Sequence, residues 1–175
     1  MKEHTPEADA IASAPARQMA SDPAVSVPAV SDPAVSVPAG QIVPWQIVLG
    51  ELDQKMGVVI SEQSAERVVA TMPVEGNRQS FGLLHGGASL AFGEAIGSWA
   101  AVIHASTTGR TAVGVDVSAT HHRSARSGLV TGIATAIHLG RTTTSHEVIL
   151  YDEQERRLCT LRITNLILDR PNPAG

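Results

Sequence analysis

Aromatic side chains are scarce in this chain of 175 residues: two Phe, two Trp and one Tyr make up 3 % of it. A surface that stacks single-stranded bases needs more of them. Basic charge is not in excess either. Lys and Arg number 13 against 17 Asp and Glu, a formal net charge of −4, so the footprint of a nucleic-acid partner is missing. The lone Cys159 excludes an intramolecular disulfide and a cysteine-rich zinc site, and it fits a reducing compartment. It falls in an expected strand without a partner base, which argues against a nucleophile. No run reaches 18 uninterrupted apolar residues, so no membrane span is expected. The N-terminus lacks the apolar stretch of a secretory signal. A cytoplasmic protein with no metal, cofactor or membrane partner is the expectation.

Residues 1–40 hold six of the ten prolines and ten alanines, and no aromatic residue. Ser21 to Ala29 recurs unchanged as Ser31 to Ala39, a repeat with a period of ten. Proline at this density prevents helix and central strand, and there is too little apolar surface to bury. This segment reads as a disordered or polyproline-like tail, with a transit peptide as the weaker alternative. One folded domain is expected over residues 41–170, followed by a short C-terminal tail, 171–175.

What is abundant is small residues in one place. Phe81 to Trp99 reads as a turn, a helix start at Gly86-Gly87, and a helix running to about His104. The helix is apolar nearly all round, as a helix buried on most sides must be. Gly93 and Gly97 in its middle each weaken it by up to ~1 kcal/mol, so something is expected to pack close to its backbone. Glu94 is the only Asp, Glu, Lys or Arg from Leu83 to Ile103. Its helical neighbours Leu90, Ala91, Gly97 and Ser98 offer no cation. A buried, unpaired carboxylate is costly and points to chemistry; the competing reading is a surface glutamate on a solvated stripe.

Around this helix the pattern gives strands. A short amphipathic helix is expected over Trp45–Met56, with Ile47, Val48 and Leu52 grouped. Strands follow at Val58–Ser61 and at Glu66–Val74, the second with Val68, Ala70, Met72 and Val74 on one face. After the central helix, Thr111–His121 alternates, with Val113, Val115 and Val117 set against Gly114, Asp116, Ser118 and Thr120. Leu129–Leu139 places Leu129, Ile133, Ile137 and Leu139 together. Arg141–Tyr151 and Arg157–Leu168 flank the turn Asp152-Glu-Gln-Glu155 as a hairpin. An antiparallel sheet curled around one long helix, an α+β fold, is the economical solution.

Phe81-Gly-Leu-Leu-His-Gly-Gly-Ala-Ser, then Glu94 and Gly97-Ser98, then Ala119-Thr-His-His-Arg123 and His138-Leu-Gly-Arg-Thr142, resemble the hotdog-fold acyl-CoA thioesterases. The similarity is to the 4-hydroxybenzoyl-CoA thioesterase branch of the Arthrobacter type. This branch includes the 1,4-dihydroxy-2-naphthoyl-CoA and enterobactin-proofreading thioesterases. It covers roughly residues 45–169. The resemblance implies a hotdog fold, hydrolysis of an aryl- or acyl-CoA thioester (or a carrier-protein thioester), and a homo-oligomer, dimer or tetramer.

Thioester hydrolysis needs an attacking group and stabilisation of the oxyanion. A thiol leaves with little acid help. Glu94 fits the first role, as nucleophile or as general base for water. The backbone N–H groups of Gly86 and Gly87, at the positive end of the helix dipole, fit the second. Eight residues along one helix separate Gly86 and Glu94 by about 12 Å. A site using both is therefore expected to join two protomers.

By resemblance, Gln79 and His85 orient the carbonyl, Ser98 positions water or substrate, and His121 lies near the acyl group. Each has a plainer reading: a loop residue for Gln79, a helix cap for His85, a small packing residue for Ser98. Adjacent strand residues face opposite ways, so His121 and His122 cannot share a metal site. Arg123, Arg141, Thr142 and Thr143 are the natural phosphate and pantetheine contacts, arginine being a forked permanent cation. Exposed strand-end charge is the alternative for Arg123. Gly114 leaves room beside the acyl group. His122, Ser124, His138, Leu139 and Gly140 complete the substrate-binding set by resemblance.

Two departures from the family pattern stand out. Glu155 replaces a customary turn glycine, which suggests a different turn. Trp99 follows Ser98 where a smaller residue is usual, which suggests an altered acyl pocket. His104 and His146 read as surface or core-edge histidines. The rival functions are a hotdog hydroxyacyl-thioester dehydratase and a non-catalytic acyl-CoA-binding module.

Overall fold

Apolar residues in this chain follow two spacings, two and three-to-four, and the elements sort accordingly. The structure, a computed structural model, describes residues 45–169; both expected tails lie outside the described residues. The elements run α1 (Glu51–Lys55), β1 (Val59–Gln63), β2 (Arg67–Pro73), α2 (Gly86–Ser106), β3 (Thr111–His121), β4 (Leu129–Leu139), β5 (Thr143–Tyr151) and β6 (Arg157–Leu168).

The helix expected over Trp45–Met56 shrinks to α1. Trp45, Ile47 and Leu49 are half-buried while Gln46, Val48 and Gly50 are exposed, a period of two. Their backbone donors go to side chains: Trp45 N–H donates to Ser106 Oγ (2.8 Å) and Ile47 N–H to Gln63 Oε1 (3.0 Å). A helix is closed to residues so spaced and so tethered. Gly50 is its N-cap.

All strand pairs are antiparallel, in the order β1-β2-β4-β5-β6-β3, so β1 and β3 are the edges. The sheet wraps α2, which packs on β2, β3, β4, β5 and β6. Val68, Ala70, Met72 and Val74 are fully buried, as their alternation predicts. The turn after β2 is closed by Asn77, whose Nδ2 donates to Met56 O (2.8 Å) and Pro73 O (2.9 Å).

The small residues of α2 have the expected cause. A β-carbon on Gly93 would sit 2.5 Å from a Leu161 methyl, and one on Gly97 would overlap Ile163. The same close approach reverses the expected face of β4. A β-carbon on Gly132 would sit 2.7 Å from the Phe92 ring and 2.8 Å from Ile96 Cδ1, so only small residues fit inward there. Val130, Gly132 and Ala134 therefore face the helix, and Leu129 and Ile137 are exposed.

In β3 a bulge interrupts the alternation. Gly114 pairs with Asn165 and Asp116 with Thr164, leaving Val115 unpaired. Val117 then falls opposite the buried Ile163 and joins the inner face, apart from Val113. Trp99 is in the core cluster at 8 % exposure, so it does not line the site. His146, expected at the surface or the core edge, is fully buried. In the β5–β6 turn Glu155 takes φ +57°, the left-handed conformation a glycine adopts readily. Glutamate there accepts the glycine geometry instead of imposing another turn.

Candidate active site

The loop before α2 is held tightly. Arg78 and Leu84 form a bridge, Leu84 N–H donates to Ala125 O (2.8 Å), and His85 N–H donates to Asn77 O (2.9 Å). That fixes the helix start beside the end of β3. A cleft of about 360 Å³ opens there, lined by Gln79, Leu83, Leu84, Gly86, Ser89, His121, His122, Arg123, Ser124 and Leu158. Gln79, Gly86, His121, Arg123 and Ser124 are thus brought together around one cleft. The His121 ring lies directly over the helix start, its Nε2 3.2 Å from where a Gly86 β-carbon would be. Gly86 N–H makes no hydrogen bond among the described residues.

His85 takes the plainer of its two readings. Its Nδ1 accepts from Gly87 N–H at 2.8 Å, which makes it the N-cap of α2. Gly87 N–H is therefore occupied, and Gly86 alone offers a backbone donor from the expected pair. Gln79 Oε1 accepts from Phe81 N–H, which leaves its amide NH₂ out of that bond, and Gln79 lines the cleft. His122 also borders the cleft, but its ring Nε2 lies 2.9 Å from Thr160 Oγ1 while the His121 ring lies over the helix start, so the two rings diverge.

Glu94 lies in a different cleft, of about 220 Å³, with Gly114, Val115, Asp116 and Val117. In the single chain it is exposed, not buried as expected, because the edge strand β3 covers it on one side only. No cation pairs with it among the described residues. Gly114 leaves space beside these side chains: a β-carbon there would stand 3.3 Å from Glu94 Oε1 and 3.8 Å from Ser98 Oγ. Ser98 Oγ donates to Asn165 Oδ1 at 3.2 Å. Asn165 was not singled out from the sequence. The signal was there, as one amide among Leu161, Ile163 and Ile167 on the inner face of β6.

The third group is elsewhere. Leu139, Gly140 and Arg141 line a cleft of about 270 Å³ with His104, Thr108 and Arg110, at the C-terminal end of α2. His104 Nε2 lies 3.0 Å from Gly140 O, and Arg110 Nη1 donates to Arg141 O at 2.7 Å. Gly140 N–H donates to Thr143 O (3.0 Å) and Ile167 N–H to Thr142 O (2.8 Å), so the β4–β5 turn is rigidly tied. The His138 ring lies against Gly140. From Gly86 to His104 the helix spans about 27 Å. Within one chain Arg123 and Arg141 thus stand at opposite ends.

Two buried groups frame this picture. Burial pushes the Cys159 thiol up, away from the thiolate a nucleophile needs. Burial holds the His146 imidazole below its usual range; its Nε2 is 3.0 Å from Ala65 O.

A family model described as the thioesterase superfamily matches residues 81–159. The proofreading thioesterase EntH of Cronobacter sakazakii is 41 % identical over 121 residues, covering 69 % of this chain and 88 % of that protein. Among solved structures, a mutant thioesterase from Pseudomonas aeruginosa is 37 % identical with a TM-score of 0.64, covering 67 % of this chain and 85 % of that one. A thioesterase from Haemophilus influenzae is 33 % identical with a TM-score of 0.65, covering 77 % of this chain and 100 % of that one.

Proposed function

The chain belongs to the thioesterase superfamily and hydrolyses acyl- or aryl-CoA thioesters; we propose that Glu94 activates the attacking water, at a site completed by a second copy of the chain. One observation carries this reading. The Glu94 cleft and the Gly86 cleft are separate within the chain, yet both open beside the same edge strand, β3.

That edge is eleven residues long, with Val113 44 % and Val115 58 % exposed. A long apolar edge is a template for pairing. Antiparallel pairing of β3 with its own copy sets the His121 end of each strand beside the Thr111 end of the other. The two α2 helices then also run antiparallel. The helix start of one protomer is thereby turned toward Glu94 of its partner, and the two ends that carry Arg123 and Arg141 become neighbours across the interface. One CoA molecule can use both only in such a pair. The apolar outer face, with Leu129, Ile137, Leu166 and Leu168 exposed, supports a further association into a tetramer.

In this arrangement the thioester carbonyl oxygen is held by Gly86 N–H and the Gln79 amide of one protomer. His121 closes the acyl end. Glu94 of the other protomer takes a proton from water, and the hydroxide oxygen bonds to the carbonyl carbon. Collapse expels the CoA thiolate. Arg123, Ser124, Arg141, Thr142 and Thr143 hold the phosphates and pantetheine. The resemblance favours an aromatic acyl group of the 1,4-dihydroxy-2-naphthoyl or hydroxybenzoyl type. A cytoplasmic location, where CoA thioesters are made and thiols stay reduced, fits the single Cys159.

Free-thiol release from a panel of aromatic and aliphatic CoA thioesters, and from one carrier-protein thioester, tests the reading. Glu94→Gln is expected to lower kcat by about 100-fold or more. Undiminished turnover in that variant would sink the assignment of Glu94. Loss of water from 3-hydroxyacyl thioesters in place of thiol release would point to a dehydratase.

A further inference from the structure

We propose that Asn165 is a positioning residue of the hydrolysis: its carboxamide orients the Ser98 hydroxyl so that the oxygen, not the proton, faces the water Glu94 activates. This rests on the reading of Glu94 as base.

Ser98 follows Glu94 by four residues and shares its helical face. A free serine hydroxyl in that place donates to the carboxylate, the strongest acceptor in reach. Such a bond weakens the carboxylate as a base and competes with water for it. Here the hydroxyl is turned the other way, donating to Asn165 Oδ1 at 3.2 Å. The lone pairs of Ser98 are left to accept.

The three side chains converge on one spot. A β-carbon on Gly114 would stand 3.3 Å from Glu94 Oε1, 3.8 Å from Asn165 Oδ1 and 3.8 Å from Ser98 Oγ. Glycine leaves that notch open between α2 and β3. A water at its mouth donates one hydrogen to Ser98 Oγ and the other to Glu94, which directs its lone pair outward at the thioester carbon. The proton then passes to the Glu94 carboxylate as the water oxygen bonds to the carbonyl carbon and the C=O pair moves onto oxygen. Re-forming the carbonyl breaks the C–S bond, and the departing thiolate takes the proton from Glu94.

Asn165 is also an expensive residue for its place. Its neighbours on the inner face of β6 are Leu161, Ile163 and Ile167, and it is fully buried. Its Nδ2 has no hydrogen-bond partner among the described residues, and neither has Oγ1 of Thr144, its cross-strand neighbour on β5. A buried amide donor left unpaired destabilises a fold, and an apolar residue would avoid that. A side chain retained against stability is what a functional role predicts.

The test measures kcat, KM and Tm of the full chain for Asn165→Val, Asn165→Asp, Ser98→Ala and the Ser98→Ala/Asn165→Val double variant, with Glu94→Gln as control. Asn165→Val is expected to keep or raise Tm while kcat falls about 10- to 100-fold at nearly unchanged KM. The double variant is expected to fall no further than Ser98→Ala, because Asn165 acts only through Ser98. Asn165→Asp keeps the acceptor and the shape, so it retains more turnover than Val. Should Asn165→Val fail to fold, the turnover of the Asp variant beside that of Ser98→Ala decides the matter. Unchanged kcat in Asn165→Val, losses that multiply in the double variant, or kcat and Tm falling together without rescue by Asp would each overturn the proposal. With Glu94→Gln inactive, any of these defeats the role of Asn165 alone; an active Glu94→Gln defeats the reading beneath it.

Discussion

At Gly114 an added carbon would crowd the notch beside Glu94. The nearest atom to a new β-carbon would be Glu94 Oε1 at 3.3 Å, inside ordinary contact distance, with Ser98 Oγ and Asn165 Oδ1 just beyond. Gly114→Ala puts an apolar methyl where water must stand, at a strand position that accepts alanine without strain. Its kcat is expected to fall at least about tenfold with Tm unchanged, as checked by steady-state kinetics beside thermal melts. Cys159 is expected to behave oppositely. Buried, and with its thiol raised, it should react with a disulfide reagent only as fast as the chain opens, which stopped-flow labelling reads directly. Single residues were legible in the sequence where they broke a pattern by charge. Glu94 is one charge in an oily helix, and it could be singled out without a structure. Asn165 broke a period-two face by polarity alone, a weaker signal. The capture of Gly87 N–H by His85 depends on a rotamer, which no spacing encodes.

Among the elements, α2 and the strands behind it set the tolerances. Gly97→Ala gains up to ~1 kcal/mol of helix propensity. It also drives a methyl into Ile163, a β-branched side chain with little freedom to move. Overpacking of this kind costs about 1–3 kcal/mol, so a net loss of stability is expected in denaturant melts. At Gly93 the obstacle is the flexible end of Leu161, and the loss is expected to be smaller.

His146 ties β5 to the β1–β2 turn through Ala65 O, in the neutral state that its burial enforces. Nearby His104 also disfavours its cation. With the folded pKa below the ordinary 6.5, the unfolded chain binds the proton first as pH falls. Stability from this group is therefore complete above about pH 6.5 and is lost as pH drops from there toward the lowered folded value. Tm is expected to be lower at pH 5.5 than at pH 8, and His146→Phe to flatten that difference. Existence and order of the elements were readable because periods of two and of 3.6 are read over many residues. Which face of β4 turned inward was not. Its large residues looked like core, but the core had already been filled by Phe92 and Ile96 from α2.

At the scale of the whole molecule, the question is whether one chain contains one site. Eight residues along α2 part Gly86 from Glu94, and the structure keeps them in separate clefts along β3. The sequence carried the distance argument, since helix rise is fixed, but a partner's surface is not written in a single chain. Two defective variants decide it. Glu94→Gln removes the base and leaves the helix-start cleft whole. Gln79→Ala/His121→Ala damages that cleft and leaves the base whole. Each alone is expected to be nearly inactive. Co-expressed in equal amounts, half the dimers are mixed, and in a shared-site dimer each mixed pair holds one undamaged site and one doubly damaged one. About a quarter of the wild-type activity is then expected to return. A site built within one chain gives no recovery, because every chain in the mixture carries a defect. Substituting Val115→Lys on the β3 edge adds the matching control: a charge there should shift the chain toward monomer in sedimentation and abolish the recovery with it.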